Sequence, residues 1–213
     1  MNYLVTLLIC LALLNLAGCV TSPPRICYNY NIELIEPTTA NNKNNKLEYI
    51  YNEYEIRFNF KHESINFKIT NKTDNIIKVL WEESAIIKQG KTEKITHKGV
   101  KYTDRNNYQH PSIVAPRTTF EDFVVPTSSI WLGQSYYNNA LHTEWQIDNL
   151  LIGCTPKEIA PTKEVLLNQK IGLLLTTEVN GIKSSTTYNF KINDVKISEL
   201  NFTPLTWTPV GSN

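Results

Sequence analysis

Two short runs constrain this chain more than any other part of it. Tyr54, Ile56, Phe58 and Phe60 alternate with Glu55, Arg57, Asn59 and Lys61, and Ile65, Phe67 and Ile69 alternate with Ser64, Asn66, Lys68 and Thr70. Successive side chains on a strand point to opposite faces, so strict period two predicts two half-buried strands, one face core and the other wet. The short turn between the runs makes them an antiparallel hairpin. Asn71-Lys72-Thr73-Asp74-Asn75 then supplies turn chemistry. Ile77, Val79 and Trp81 form the inward face of a third strand, and Ala85 to Lys88 a short fourth. Ile, Thr, Val, Tyr and Phe are abundant beside a single Met, a mixture that favours strands over helices.

The C-terminal part carries a second hairpin signal. Asn180-Gly181 suits a type I′ turn, which needs positive φ at both central residues. A two-residue loop pairs Val179 with Ile182, Glu178 with Lys183, Leu173 with Tyr188 and Ile171 with Phe190. One charge pair and two apolar pairs are what a correct register gives. Tyr30, Ile32 and Leu34 read as an opening strand, Pro37 to Lys46 as a loop, and Phe120 to Val125, between Pro116 and Pro126, as another strand. Ile130-Trp131-Leu132 is a short strand, and Val195, Ile197 and Phe202 belong to a final one before a Pro-rich tail with Trp207. Tyr136 to Ile152 reads two ways: Trp145, Ile147 and Leu150 suit a strand, or with Leu141 and Leu151 one side of a short helix.

The N-terminus gives an address. An apolar run from Tyr3 to Leu16, interrupted by Thr6 and Asn15 and ended by small residues, falls short of the about 20 residues that span a bilayer and reads as a secretory signal. Leu16-Ala17-Gly18-Cys19 resembles the lipobox of bacterial lipoproteins, although Met1-Asn2-Tyr3 brings no Lys or Arg ahead of the apolar run. The resemblance implies cleavage before Cys19, a diacylglyceryl group on its thiol and an acylated amino terminus. Val20, where such lipoproteins carry Asp for inner-membrane retention, implies the outer membrane, with the protein facing the periplasm or the surface. On this reading residues 1–18 are the signal, 19–27 a lipidated tether stiffened by Pro23-Pro24, and 28–213 a single domain. Cys10 leaves with the signal and Cys19 carries lipid, so Cys27 and Cys154 remain. In an oxidising compartment they are expected to bridge, the alternative being two buried thiols that never meet.

Ser64 to Pro126 is also similar to the immunoglobulin-like domains of uncharacterised envelope lipoproteins. The likeness lies in a strand, the Asn71-Lys72-Thr73-Asp74 turn, a strand ending in Trp81 and a Gly-containing turn. It implies an immunoglobulin-like, Greek-key antiparallel β-sandwich, here of about eight strands, and no particular activity.

Chemistry-bearing patterns are sparse. With 21 basic and 20 acidic residues and a formal charge of +1, the chain lacks the concentrated basic surface that a nucleic-acid partner needs. His62, His97, His110 and His142 have no companions at metal-ligand spacing, which supports no zinc site and suggests surface or loop positions. Gly133-Gln134-Ser135 lacks the second glycine of a nucleophile elbow. Glu82-Glu83 and Glu121-Asp122 are adjacent carboxylates that a strand would point to opposite faces, and they read as solvated. No cofactor motif is visible.

The irregular stretch from Thr96 to Thr119 holds the candidate partner-binding residues Tyr102, Arg105, Tyr108 and His110. A loop that merely joins the two sheets is the plainer reading. The expectation is therefore a non-enzymatic, lipid-anchored envelope protein that binds another envelope protein through this loop or a sheet edge. An inhibitor or immunity lipoprotein against an envelope enzyme is one alternative, and a hydrolase of envelope glycans or peptides a weaker one.

Overall fold

The computed structural model describes residues 24–37, 47–137 and 140–200. The lipobox, Cys10, most of the Pro37 to Lys46 loop, Phe202 and Trp207 lie outside the described residues. The described residues form fourteen strands, one short α-helix and four single turns of 3-10 helix. They are β1 (Arg25–Glu36), β2 (Glu48–Ile50), β3 (Tyr54–Phe60), β4 (Ile65–Asn71), β5 (Ile77–Val79), β6 (Ala85–Lys88), β7 (Lys91–His97) and β8 (Ser112–Val114). After these come β9 (Thr119–Pro126), β10 (Ile130–Tyr137), β11 (Ala140–Ile147), β12 (Cys154–Pro156), α1 (Lys163–Leu167), β13 (Lys170–Val179) and β14 (Ile182–Leu200).

The architecture is an all-β antiparallel sandwich made by one curled sheet. Its strands are bonded in the order β12-β1-β14-β13-β6-β7-β9-β4-β3-β2, with β5 also on β13 and β8 on β5. The β6–β7 hairpin carries the ladder from one layer to the other, because β6 pairs with β13 while β7 pairs with β9. Curling brings β3 over β14. Phe58 stacks obliquely on Tyr188 at 4.9 Å and edge-on to Phe190 at 5.0 Å, and Phe60 meets Phe190 at 4.9 Å. The hydroxyls of Tyr54 and Tyr188 bond to each other at 3.2 Å inside this seam. Burial there pushes the Tyr54 hydroxyl up to about 12 and that of Tyr188 well above its ordinary value, so both stay neutral and one hydroxyl donates to the other.

The period-two runs become β3 and β4, paired from Tyr54 with Asn71 to Phe60 with Ile65, with the apolar set inward as expected. The Asn180-Gly181 hairpin has the expected register throughout, with positive φ at both turn residues. Glu178 and Lys183 are neighbours in that register, yet each pairs elsewhere: Glu178 takes Lys78 at 2.7 Å and Lys183 takes Glu83. Asn71 is buried, and its amide donates to the carbonyls of Asn75, Val114 and Ala115, knotting the turn after β4 to the chain leaving β8.

Several expectations are revised. The strand count is well above eight, because edge strands of three residues are too short to show periodicity. Trp81 is fully buried but sits in a single helical turn after β5 rather than in the strand. Arg25 to Cys27, read as tether, are already paired with β12 and β14. Val195 and Ile197 are not a separate strand: β14 runs 19 residues without a break and pairs with both β13 and β1, accommodating a shift in register at Asn31 and Ile32. The ambiguous stretch resolves as strand β11 to Ile147, followed by a loop that buries Leu150 and Leu151.

Cys27 and Cys154 lie opposite each other in the β1–β12 pair, with Cα atoms 4.0 Å apart, and are joined by a disulfide. The bridge spans 127 residues, a closure that by chain entropy contributes about 4 to 5 kcal/mol. Replacing both cysteines by serine should lower the unfolding free energy by about that amount while leaving the far-ultraviolet dichroism of a β protein intact. A denaturant titration checks this, and an unchanged midpoint contradicts it.

Candidate binding surface

The hairpin of β10 and β11 stands apart from the main sheet. Each pairs only with the other among the described strands, from Ile130 with Ile147 to Tyr137 with Ala140. Its base is fixed: Ile130 is buried, and the Asp148 amide donates to the Ser129 carbonyl at 2.8 Å. Beyond the base, one face carries Leu132 opposite Trp145 and Tyr136 opposite Leu141. All four are exposed, Tyr136 to 71% and Leu132 to 54%. The other face carries Trp131, also exposed, with its indole N–H donating to Asp148 Oδ1 at 2.9 Å. A Cβ on Gly133 would lie 3.0 Å from the Trp131 ring and 2.6 Å from Gln146 Cγ, so glycine there lets the ring lie across the strand. β10 has no charged residue, and β11 has one carboxylate, Glu144.

The 97–119 loop leans on this hairpin. Tyr102 meets the Trp145 ring edge-on at 6.0 Å, and the Arg105 guanidinium lies 5.3 Å from its centroid, a cation–π geometry. Arg105 is aimed by donating to the Tyr102 carbonyl at 2.7 Å. Tyr108 and His110 form a separate edge contact at 5.1 Å, with Tyr108 beside a small cavity of about 190 Å³ near Trp81 and Lys183. The four candidate residues thus divide into two pairs, and the first joins a surface whose main part, β10–β11, carried no expectation of binding.

The loop is well pinned. The Gln109 side chain, buried, donates to the Ile95 carbonyl at 2.7 Å, while its backbone N–H donates to Glu82 Oε1 at 2.9 Å. Lys94 reaches Glu82 and the carbonyls of Asn106 and Asn107. Glu82 is therefore a clasp for the loop rather than a solvated group.

His97 and Asp122 revise two further expectations. His97 ends β7, stacked on Trp81 at 4.1 Å with rings 11° apart, and its Nδ1 lies 3.1 Å from Asp122 Oδ2. Asp122 is buried, and its Oδ1 accepts the backbone N–H groups of Lys98 and Phe123. Its neighbour Glu121 points to solvent and pairs with Lys68 at 3.0 Å, the alternation a strand imposes. A His–Asp pair is the geometry of a catalytic base. Among the described residues, however, no hydroxyl or thiol bonds to His97, and the pair braces Trp81 against β9. The described residues also contain no cluster of three His, Cys, Asp or Glu suited to a metal.

A second carboxylate pair lies on the outer face of β2 and β3. Arg57 bonds Glu48 Oε1 at 2.9 Å and Glu55 Oε1 at 2.6 Å. Sharing a hydrogen bond with Glu48, with some burial, raises the Glu55 carboxyl above the ordinary glutamate range. Arg57 also borders an open cavity of about 550 Å³ toward Lys68 and Asp122, and the pair serves the sheet edge.

Comparison of the chain with protein-family models, curated proteins and solved structures returns no match.

Two outcomes follow from these contacts. Asp122→Ala should cost about 2 to 4 kcal/mol of stability, since it strands two buried N–H groups and His97, measured by urea denaturation against Glu121→Ala, which should cost little. A raised folded-state carboxyl favours the proton-bound form, so the Glu48–Glu55 pair stabilises the fold on the acid side and loses that contribution as pH rises through the raised value. The wild type should therefore lose stability relative to Glu55→Gln as pH rises above about 4.5. Parallel pH profiles of the two proteins would contradict the shared proton.

Proposed function

We propose that this chain is a lipid-anchored cell-envelope protein without catalytic activity, which binds another envelope protein through the β10–β11 hairpin and the Tyr102–Arg105 part of the adjoining loop. The observation that carries this reading is the hairpin itself. A two-stranded hairpin is marginal alone in water, and this one holds five large apolar side chains exposed, Trp131, Leu132, Tyr136, Leu141 and Trp145, over two open edges. Exposed apolar surface of that kind marks an interaction site. Tyr and Trp are the side chains that most often anchor interfaces, giving area at low entropic cost. With no charge on β10, the matching surface is apolar, with backbone groups able to receive an added strand.

The anchor supports the same reading from the other end of the chain. A lipid on Cys19 would precede β1, which begins at Arg25. Six extended residues span at most about 20 Å, so the sandwich would stay close to the bilayer and meet partners there. Two acyl attachments make such anchoring stable, each buried CH₂ contributing about 0.8 kcal/mol. If the partner is an envelope enzyme, the same surface makes the chain its inhibitor.

Two measurements in intact cells test both halves. Cys19→Ser should move the protein out of the membrane fraction; retention there overturns the anchor. A photo-crosslinking side chain at Tyr136 should capture one protein repeatedly, and Leu132→Asp should abolish the capture, whereas a crosslinker at Thr70, on the outer face of β4, should not give it. Equal capture from both positions overturns the hairpin as the docking site.

A further inference from the structure

A groove of about 480 Å³ lies on the outer face of the sheet, where the end of β1, the β6–β7 turn and α1 surround β13 and β14. It is remote in the chain from the β10–β11 hairpin and has a different character. Its floor is Gly172. A Cβ there would come within 2.8 Å of Asn189 Oδ1 and 3.4 Å of Ile87 Cβ, so glycine lets the Asn189 amide and Ile87 lie close over the strand and keeps the floor of the groove low. Asn189 is held in place by donating to Glu36 Oε2 at 2.7 Å. The walls are apolar: Ile35, 40% exposed, on β1, with Ile87 on β6 and Leu167 on α1.

The rim carries the opposite chemistry. Lys170 lies directly across from Lys191 in the β13–β14 register, and both line the groove. Like charges directly opposite destabilise a sheet, and natural pairs of this kind are normally relieved by an acid. Among the described residues neither lysine has an ion-pair partner. Glu33, the register neighbour of Lys191 on β1, makes none, and Glu36 is occupied by Asn189. An apolar trough whose end carries two lysines with no ion-pair partner among the described residues fits a ligand with an apolar tail and a compact anionic head. A polyanion would meet the Glu36 carboxylate as well as the two cations, and a neutral ligand would leave the lysines as they are.

We propose that this groove binds a single-chain anionic amphiphile, with its acyl chain between Ile35, Ile87 and Leu167 and its carboxylate or phosphate between Lys170 and Lys191. Its volume falls in the range of small-molecule sites, and charge-assisted bonds to two lysines set the orientation of the head. The site is independent of the hairpin, and a failure here leaves the docking proposal standing.

The test is calorimetric titration of the purified full-length chain with dodecanoate and with dodecyl phosphate, each below its micellar concentration, and with dodecyl maltoside as a neutral control. Saturable one-site binding is expected for both anions, with at least about tenfold weaker binding of the maltoside. Preference between the two anions distinguishes a fatty carboxylate from a phosphate headgroup. Lys170→Gln with Lys191→Gln should weaken dodecanoate at least about tenfold and at the same time raise the Tm of the free protein, because the repulsion is gone. Lys170→Arg with Lys191→Arg should keep the binding, and Ile35→Asp should remove it. Absence of saturable binding to either anion, equal binding of the maltoside, or unchanged affinity in the glutamine variant would each overturn the proposal.

Discussion

The packing of β3 onto β14 is the interaction that the rest of the structure depends on. A single hydrogen-bonded sheet becomes a sandwich only if its two halves have matching apolar faces, and here the match is aromatic. Phe58 and Phe60 close against Tyr188 and Phe190, with Tyr54 and Tyr188 joined through their hydroxyls. Both strands belong to hairpins of fixed register, and a slip of one residue in either would turn every aromatic side chain outward. The seam therefore needs two turns to be right at once, one of them Asn180-Gly181. Once it forms, the β6–β7 hairpin has to bridge the layers at the distance the rings set.

Much of this was legible because it repeats a simple pattern. Alternation in Tyr54–Phe60 and Ile65–Asn71 named the strands, the buried face and the pairing, and the chemistry of one Asn-Gly turn gave the register of ten residue pairs from Lys170 to Val179. What the sequence concealed has physical reasons. Strands of three residues such as β2, β8 and β12 are recruited by neighbours rather than by their own periodicity. The 19 residues of β14 read as two pieces because its partner changes along its length. Glu178 found Lys78 instead of Lys183 because a third strand, β5, lies alongside β13 and offers a closer cation.

The proposed binding surface was the least legible part, for a related reason. Alternation is visible only when one face is buried, and beyond its base the β10–β11 hairpin exposes large side chains on both: Leu132 and Tyr136 project from one side and Trp131 from the other. Period two therefore shows only the short piece Ile130-Trp131-Leu132 and leaves Trp145 and Ile147 open between strand and helix. Tyr102 and Arg105 were visible as polar aromatic and cationic residues on an irregular loop, but their attachment to Trp145 is a tertiary contact that nothing local announces. His97 and Asp122 looked unremarkable apart, and only the pairing of β7 with β9 brings them together. Departures from regular patterning thus coincide with the surfaces that have chemistry left to use.

The disulfide has a mechanical meaning beyond its thermodynamic one. Any tension applied to the chain ahead of the domain enters at Arg25, the first residue of β1, which is flanked by β12 on one side and β14 on the other. Hydrogen bonds between strands yield one after another when a strand is peeled from its end, so an unsupported β1 would be the weak element under such a pull. The Cys27–Cys154 bond lies two residues in. It carries the load into a second segment of chain before more than the first two pairs of the ladder can open, so the domain can be towed from its N-terminus without unravelling.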